Sequence, residues 1–283
     1  MKKIFLSLLL AASVTGFAQK VSNKLTFQKG QKLEITTNMN MATTMVMGET
    51  TGNTVTTEVY DVKDVAASGA TLEKSTKNMK LNFSLMGQEK SFDSDKPEDL
   101  KGDLGEPLKK MLDTKAEFTV DGTGKIVAVK AAESKKKEES NQNMMGMFMS
   151  QMNMGSAPPK AGAASFFKIL PDYEVGKGDS WSDTSSYNGS NFKNTYTVKD
   201  ITETDVVLDY TTGGDFTTKQ EMMGMSLESK GNTKSNGTIT LDRKTGILKQ
   251  KTATSTTESN TNVAGQEMAS TAKITTVTTV KTL

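Results

Sequence analysis

Methionine is the soft, sulfur-containing residue of this sequence, and it is numerous and clustered. The chain contains 18 Met, no His and no Cys. Three groups stand out: Met39, Met41, Met45 and Met47; the block 144–154; and Met222, Met223 and Met225. Thioethers bind Cu(I), but copper sites commonly include His or Cys as well. Met also adapts to apolar partners of varied shape. We therefore favour core or lid packing, then contact with a lipophilic ligand, over copper.

The residues of most enzyme active sites are missing. Without His or Cys the chain cannot form a Ser-His-Asp triad, a thiolate nucleophile or a common zinc site. Paired carboxylates or a Ser-Lys dyad remain open. One Trp, 5 Tyr and 11 Phe are few for a sugar-hydrolase cleft. The sequence predicts a protein that is not an enzyme and has neither cofactor nor bound metal, with a carboxylate-dependent hydrolase as the least favoured alternative.

One acidic cluster has oxygen ligands at the short spacing that Ca²⁺ requires. Its members are Asp93, Asp95, Glu98, Asp99 and Asp103. The cluster lacks the glycine turn and the terminal Glu of a recognised calcium loop. Capping of nearby helices explains these acids at least as well, so we do not predict a metal site here.

The charge balance argues against nucleic acid as a partner. Arg243 is the only Arg. If Lys2 and Lys3 are removed with a signal peptide, basic and acidic residues balance. A neutral chain with one guanidinium has no field to steer nucleic acid and little means to grip phosphate.

The first 18 residues predict export. Lys2 and Lys3 precede an apolar run from Ile4 to Val14, and Gly16-Phe17-Ala18 ends in a small-x-small pattern. These features are typical of a secretory signal peptide cleaved after Ala18. No later stretch approaches the ~20 apolar residues of a membrane-spanning helix. We expect a periplasmic or secreted protein without an integral membrane span.

Alternation of apolar and polar residues predicts the fold class. Stretches with one polar face are Leu25–Phe27, Lys32–Thr36, Thr54–Tyr60, Thr238–Leu241 and Lys273–Val277. Turn signals at Ala67–Gly69, Asp121–Gly124 and Thr212–Asp215 separate such stretches. This pattern is typical of antiparallel sheets. We predict an all-β protein (minor α), an antiparallel, internally duplicated sheet curved into a half-barrel or barrel with one or two short helices.

The duplication rests on matched segments. Val59–Val65 aligns without gaps on Thr195–Ile201, and Lys29-Gly30 corresponds to Lys177-Gly178. We predict a signal peptide at 1–18, a first β repeat at 19–130, a charged and Met-rich flexible connection at 131–165 and a second β repeat at 166–283. The first repeat gains a helical insertion near 95–113, where Leu108, Met111 and Leu112 share one helix face. Weak self-similarity of any Thr- and Val-rich β protein is the alternative.

The stretch Leu170–Trp181, together with the signal ending Phe17-Ala18-Gln19 and the Met-rich connection, resembles a family of exported bacterial β-rich proteins of unknown function. That resemblance implies no activity and no site residues. The arrangement of many strands with short helices also resembles, in architecture only, the half-barrels that carry lipoproteins or lipids through the periplasm. Such carriers imply a concave apolar surface under a helical lid.

Together these features predict a non-enzymatic cell-envelope protein that binds an apolar ligand, a lipid or a lipoprotein-like partner, on a concave β surface. The predicted ligand-binding residues are Met39, Met41, Met45, Met47, Leu108, Met111, Leu112, Met145, Phe148 and Met149. The alternative is a structural or adhesive envelope protein that acts through exposed strands, with Lys273–Thr282 as the candidate edge.

Overall fold

A computed structural model describes residues 19–46, 48–85, 87–102, 104–130, 158–187, 190–222, 225–263 and 265–283. The predicted signal peptide, most of the predicted connection, and Met47, Met145, Phe148 and Met149 lie outside these residues. Within them the fold is all-β with minor α, as predicted. No helix in the described part of the chain has the length and apolar character that crossing a membrane requires.

Twelve antiparallel strands form one sheet, and two short strands form a second. The first half contributes β1 (Lys20–Val21), β2 (Lys32–Met45), β3 (Gly48–Ala66), β4 (Gly69–Leu85), β5 (Gln88–Asp93), β6 (Lys115–Val120) and β7 (Ile126–Val129). The second half contributes β8 (Val175–Gly176), β9 (Ser180–Tyr187), β10 (Ser190–Ile201), β11 (Asp205–Met222), β12 (Met225–Asp242), β13 (Leu248–Val263) and β14 (Gln266–Thr282). A 3-10 turn (Asp99–Lys101) and one helix, α1 (Gly105–Asp113), follow β5.

The strand order is β7-β6-β4-β3-β2-β14-β13-β12-β11-β10-β9, with β5 on β4 and β1 paired with β8. Within the described residues this sheet is open, with β7 and β9 at its edges. The expectation that Lys273–Thr282 forms an edge is wrong, because β14 pairs with β13 on one side and β2 on the other. Alternating Thr and Val suit a half-buried strand at either position, so the pattern does not distinguish centre from edge.

Two further local expectations are also wrong. Leu25–Phe27 is not a strand, although both apolar side chains are buried as the alternation predicts. Thr212–Asp215 is not a turn but lies inside β11. A Cβ on Gly214 would come within 2.9 Å of the Phe192 ring, so the glycine leaves room for a neighbouring aromatic side chain instead of reversing the chain.

One face of the sheet, which we call the inner face, carries most of the buried side chains. It includes Leu33, Tyr60, Leu72, Leu208 and Ile239, each at most 4% exposed. The opposite face is mainly Thr, Asn, Lys and acidic residues. A sheet with one apolar face alternates in this way because successive side chains point to opposite sides.

The sheet is strongly curved at the end where β6 and β12 finish. These strands stand six positions apart, about 29 Å in a flat sheet at about 4.8 Å per strand. Yet the Leu25 N–H donates to the Gly122 carbonyl at 2.7 Å and the Thr26 N–H donates to the Thr245 carbonyl at 2.9 Å. Since consecutive Cα atoms are about 3.8 Å apart, the two turns lie within about 10 Å of each other.

Two segments close this curved end of the sheet. One is 19–31, and the other is 158–176, which comes before β9 in the chain. Their strands β1 and β8 pair with each other. Phe27 and Phe167 meet edge to face at 5.3 Å, and Phe167 also contacts Tyr60. Both segments contribute to the two apolar clusters that fill the concave side here.

The two halves contain matching contacts at the positions aligned in the sequence. Two pairs are Gly30 N–H to Val62 O (2.9 Å) with Gly178 N–H to Val198 O (2.8 Å), and Lys29–Asp64 (2.9 Å) with Lys177–Asp200 (2.9 Å). Both glycines have positive φ. These contacts agree with the predicted duplication, and the duplication and the domain boundaries stay predictions.

Candidate functional site

The predicted ligand-binding residues that the structure describes lie mainly in one place. Helix α1 packs on β4 at the end of the sheet opposite the two closing segments. Leu108 is fully buried there against Met41, Met79, Leu81, Phe83, Phe92 and Leu104, and Met39, Met111, Leu112, Leu100 and Ile274 pack around this cluster half-buried. We call these residues the methionine cluster. The short helix against the sheet confirms that element of the fold.

Strand register explains why these residues meet. Met39, Met41 and Met45 alternate along β2 and share the inner face, and Ile274 of β14 is the direct partner of Met41. Met45 is half-buried further along β2 and is not among the residues of the cluster. Ligand contact by any of them stays a prediction.

A groove of about 730 Å³ lies on the face of the sheet opposite the methionine cluster. Most of its lining side chains are polar and point away from the inner face: Asn40, Thr51, Asn53, Asn82, Ser84, Glu89 and Ser91. Met41 and Phe83 stand at the level between them, and their side chains are buried on the inner side. The groove is therefore polar, and the half-buried apolar surface lies on the inner face at Met39, Met111 and Ile274.

The acidic residues after β5 serve local structure. Asp99 Oδ2 accepts the N–H of Asp93 at 2.8 Å, and Asp93 forms an ion pair with Lys80 at 3.0 Å. The Asp95 N–H bond and the Lys80 side-chain contact lower the pKa of Asp93. No group of three or more acidic residues that could hold a metal ion occurs among the described residues.

Polar and aromatic side chains cross the middle of the inner face. Trp181 stacks on Tyr196 at 5.3 Å and Tyr196 on Tyr210 at 6.3 Å, so three rings run across β9, β10 and β11. Burial raises the pKa of Tyr196 to about 12, with a further contribution from Asp183. The Tyr210 ring lies over Gly237 of β12, where a Cβ would approach it to 2.8 Å. The ring thereby reaches Lys251 on β13.

Two lysines lie over tyrosine rings on this face, and the sequence analysis identified neither. Lys74 Nζ is 5.9 Å from the Tyr60 ring centroid and 2.7 Å from Glu58. Lys251 Nζ is 4.7 Å from the Tyr210 ring centroid, and burial lowers the pKa of Lys251. In a chain so rich in lysine, only the strand register distinguishes these two from the exposed ones.

This geometry defines a class of protein built on one large, open and curved antiparallel sheet. Segments 19–31 and 158–176 close one end of the sheet, and α1 covers β4 at the other end. By sequence, residues 67–248 match a family of unknown function, DUF6263, and the chain belongs to that family. This confirms the resemblance to an uncharacterised family of β-rich proteins. A search of the curated proteins returns no match.

Solved structures resemble this fold at low sequence identity. A structure of lipovitellin, concerned with its lipid–protein interactions, aligns over 90% of this chain at 10% identity with a TM-score of 0.50. The chain spans 25% of the lipovitellin chain. An outer membrane channel from Pseudomonas putida F1 aligns over 91% of this chain and 98% of its own at 8% identity, with a TM-score of 0.23. The resemblance to lipovitellin is one of fold.

Proposed function

We propose that this protein is a non-enzymatic binding protein of the cell envelope whose inner sheet face holds a long apolar ligand such as a lipid. The observation that carries the proposal is the half-buried apolar margin of the methionine cluster, which Met39, Met111 and Ile274 form on β2, α1 and β14. The similarity of the fold to lipovitellin, a protein described for its lipid–protein interactions, supports the same choice.

The methionine cluster has a rigid base and an adaptable margin. Leu81 and Leu108 at the base are fully buried, whereas Met39, Met111 and Ile274 at the margin are half-buried. Unbranched thioether chains change rotamer at low cost and fit ligands of varied shape. Each ligand methylene transferred from water to such a surface contributes about 0.8 kcal/mol. Ten methylenes contribute about 8 kcal/mol, which falls within the roughly 4–15 kcal/mol that association costs, so we expect only long-chain ligands to bind.

Displacement of the neutral dye Nile red tests this proposal. We expect the purified protein to enhance Nile red emission and hexadecan-1-ol to reverse the enhancement. Ile274→Asn, which places an amide on the inner face, is expected to weaken hexadecan-1-ol binding about tenfold. Thr275→Asn, on the opposite face of the same strand, is the matched control and is expected to bind as the wild type does. The proposal is abandoned if neither Nile red nor hexadecan-1-ol binds, or if both variants bind equally well.

Under the alternative, a structural or adhesive protein, the strand that pairs with a partner cannot be β14, because β14 is paired on both sides. Within the described residues β9 is an open edge of eight residues. Exposed edges can pair with strands of a partner. Shortening β9 should abolish partner capture under this alternative and leave Nile red binding unchanged.

A further inference from the structure

Lys251 occupies an unusual place for a lysine. It lies on the inner face of β13, between Ile239 of β12 and Thr278 of β14, which are its direct partners. Ile239 is 1% exposed and Thr278 is 6% exposed, so Lys251 lies between two buried residues of the neighbouring strands. The residue itself is half-buried. Part of its side chain is therefore accessible from the inner face.

No carboxylate among the described residues pairs with Lys251. The contrast is Lys74, the other lysine over a tyrosine ring, whose Nζ lies 2.7 Å from Glu58. Tyr210 gives Lys251 only a ring face, at 4.7 Å. A cation–π contact is worth about 0.5–2 kcal/mol, less than desolvation of an ammonium typically costs. An anion at this point would offset that cost.

The anion that fits is a monovalent one. A single ammonium balances one carboxylate, whereas phosphate recognition generally uses several cations or a guanidinium fork. Arg243, the only Arg of the chain, bonds to Gln19 and to the Thr202 carbonyl in the closed end of the sheet. It is therefore engaged away from Lys251.

The inner face connects Lys251 to the methionine cluster. Thr37 stands at the level of Lys251, two strands away, and Met41 lies four residues further along β2. Strand spacing and rise place Met41 roughly 17 Å from Lys251. Met39 and Ile274 lie along this route and are half-buried. We propose that Lys251 binds the carboxylate of a long-chain fatty acid whose hydrocarbon tail runs past Ile274 to Met39 at the margin of the methionine cluster.

This assignment rests on the proposed function, since the tail must find an apolar site before the headgroup matters. Its own support is the unpaired cation. Burial lowers the pKa of Lys251, and a bound carboxylate raises it again, so the ligand also restores the charged form.

Competition against Nile red with two probes tests the assignment. Hexadecanoate and hexadecan-1-ol have the same tail length and differ in the headgroup. At neutral pH we expect hexadecanoate to bind the wild type at least tenfold more tightly than hexadecan-1-ol. Lys251→Met should abolish this preference and leave the affinity for hexadecan-1-ol unchanged. Lys90→Met, on β5 beside the methionine cluster, and Lys273→Met, on the opposite face of β14, should keep the preference.

The outcomes separate the two proposals. If the wild type binds hexadecan-1-ol but does not prefer hexadecanoate, the assignment of Lys251 is overturned and the proposed function stands. If Lys251→Met retains the preference, or Lys90→Met abolishes it, the headgroup lies elsewhere and the assignment is again overturned. If neither probe displaces Nile red, both proposals fail. Urea midpoints of all three variants at or above the wild-type value exclude misfolding as the cause.

Discussion

Leu25 provides the sharpest test of how the curved end is held together. Its backbone N–H bonds to the turn after β6, and the next N–H bonds to the turn after β12. A Cβ built on Gly124 would lie 2.8 Å from one Leu25 methyl, and a Cβ built on Gly246 would lie 3.3 Å from the other. Each methyl therefore packs directly against one glycine-containing turn.

Replacing Leu25 with Ala removes both contacts. The side chain is 8% exposed, and Leu→Ala in a core costs about 2–5 kcal/mol depending on how far the site collapses. Both turns are tied by backbone hydrogen bonds and have glycines at the contact, so little can move in to fill the space. We expect the free energy of unfolding to fall by about 3–4 kcal/mol.

Urea unfolding measures this change. Trp181 fluorescence reports the second half of the sheet and far-UV circular dichroism reports the whole sheet, so coincident midpoints that shift together would show that loss of Leu25 weakens both halves. Lys24→Ala, the exposed neighbour, is the control and should change the free energy of unfolding by less than about 0.5 kcal/mol. A loss below about 1 kcal/mol for Leu25→Ala would refute the idea that this side chain links the two turns.

Three further changes have defined outcomes. Gly237→Ala should destabilise the protein by more than about 2 kcal/mol in urea unfolding, because the added Cβ meets the Tyr210 ring and the Thr252 carbonyl. Gly213→Ala is the control and should be tolerated, because the nearest atom to its added Cβ is 3.8 Å away. Equal effects of the two substitutions would contradict the packing argument. Lys74→Met should cost about 1–3 kcal/mol, because it leaves Glu58 half-buried without this cation, and adding Glu58→Gln should recover part of the loss; no recovery would argue against coupling. The pKa of Lys251 is lower in the folded state than in the unfolded state, so the unfolded state binds more protons between these two pKa values. The free energy of unfolding of the wild type, relative to that of Lys251→Met, should therefore rise as the pH rises toward 10.5. A flat or falling difference would contradict the burial of Lys251.

The sequence predicted the fold class because strand periodicity is local. Lys32–Thr36 and Thr238–Leu241 lie in strands with their apolar residues inward, as expected. Thr54–Tyr60 also lies in a strand, but Thr54 and Tyr60 are the buried residues, and Val55 and Val59 face the opposite side. The pair Gly213-Gly214 was misread because glycine marks both turns and sites where a neighbouring ring needs room. Only the register of β10 against β11 decides between these uses.

The candidate site was predictable only in part. The helix face of Leu108 and the alternation of Met39 and Met41 are local patterns, and they meet in one cluster. Lys251 was not predictable, because its environment comes from strands that are distant in the sequence. Nothing in the stretch Lys249–Ser255 distinguishes it from its neighbours.

The pairing of β2 with β14 has a consequence for biosynthesis. The first long strand of the sheet lies beside the last one, joined from Met45 with Ser270 to Leu33 with Thr282. Such non-local pairing slows folding, since a long loop must close before the contacts form. The sheet therefore cannot be completed until β14 is available to pair with β2. Until then β2 offers an unpaired edge, and chaperones that bind extended segments would protect it from aggregation.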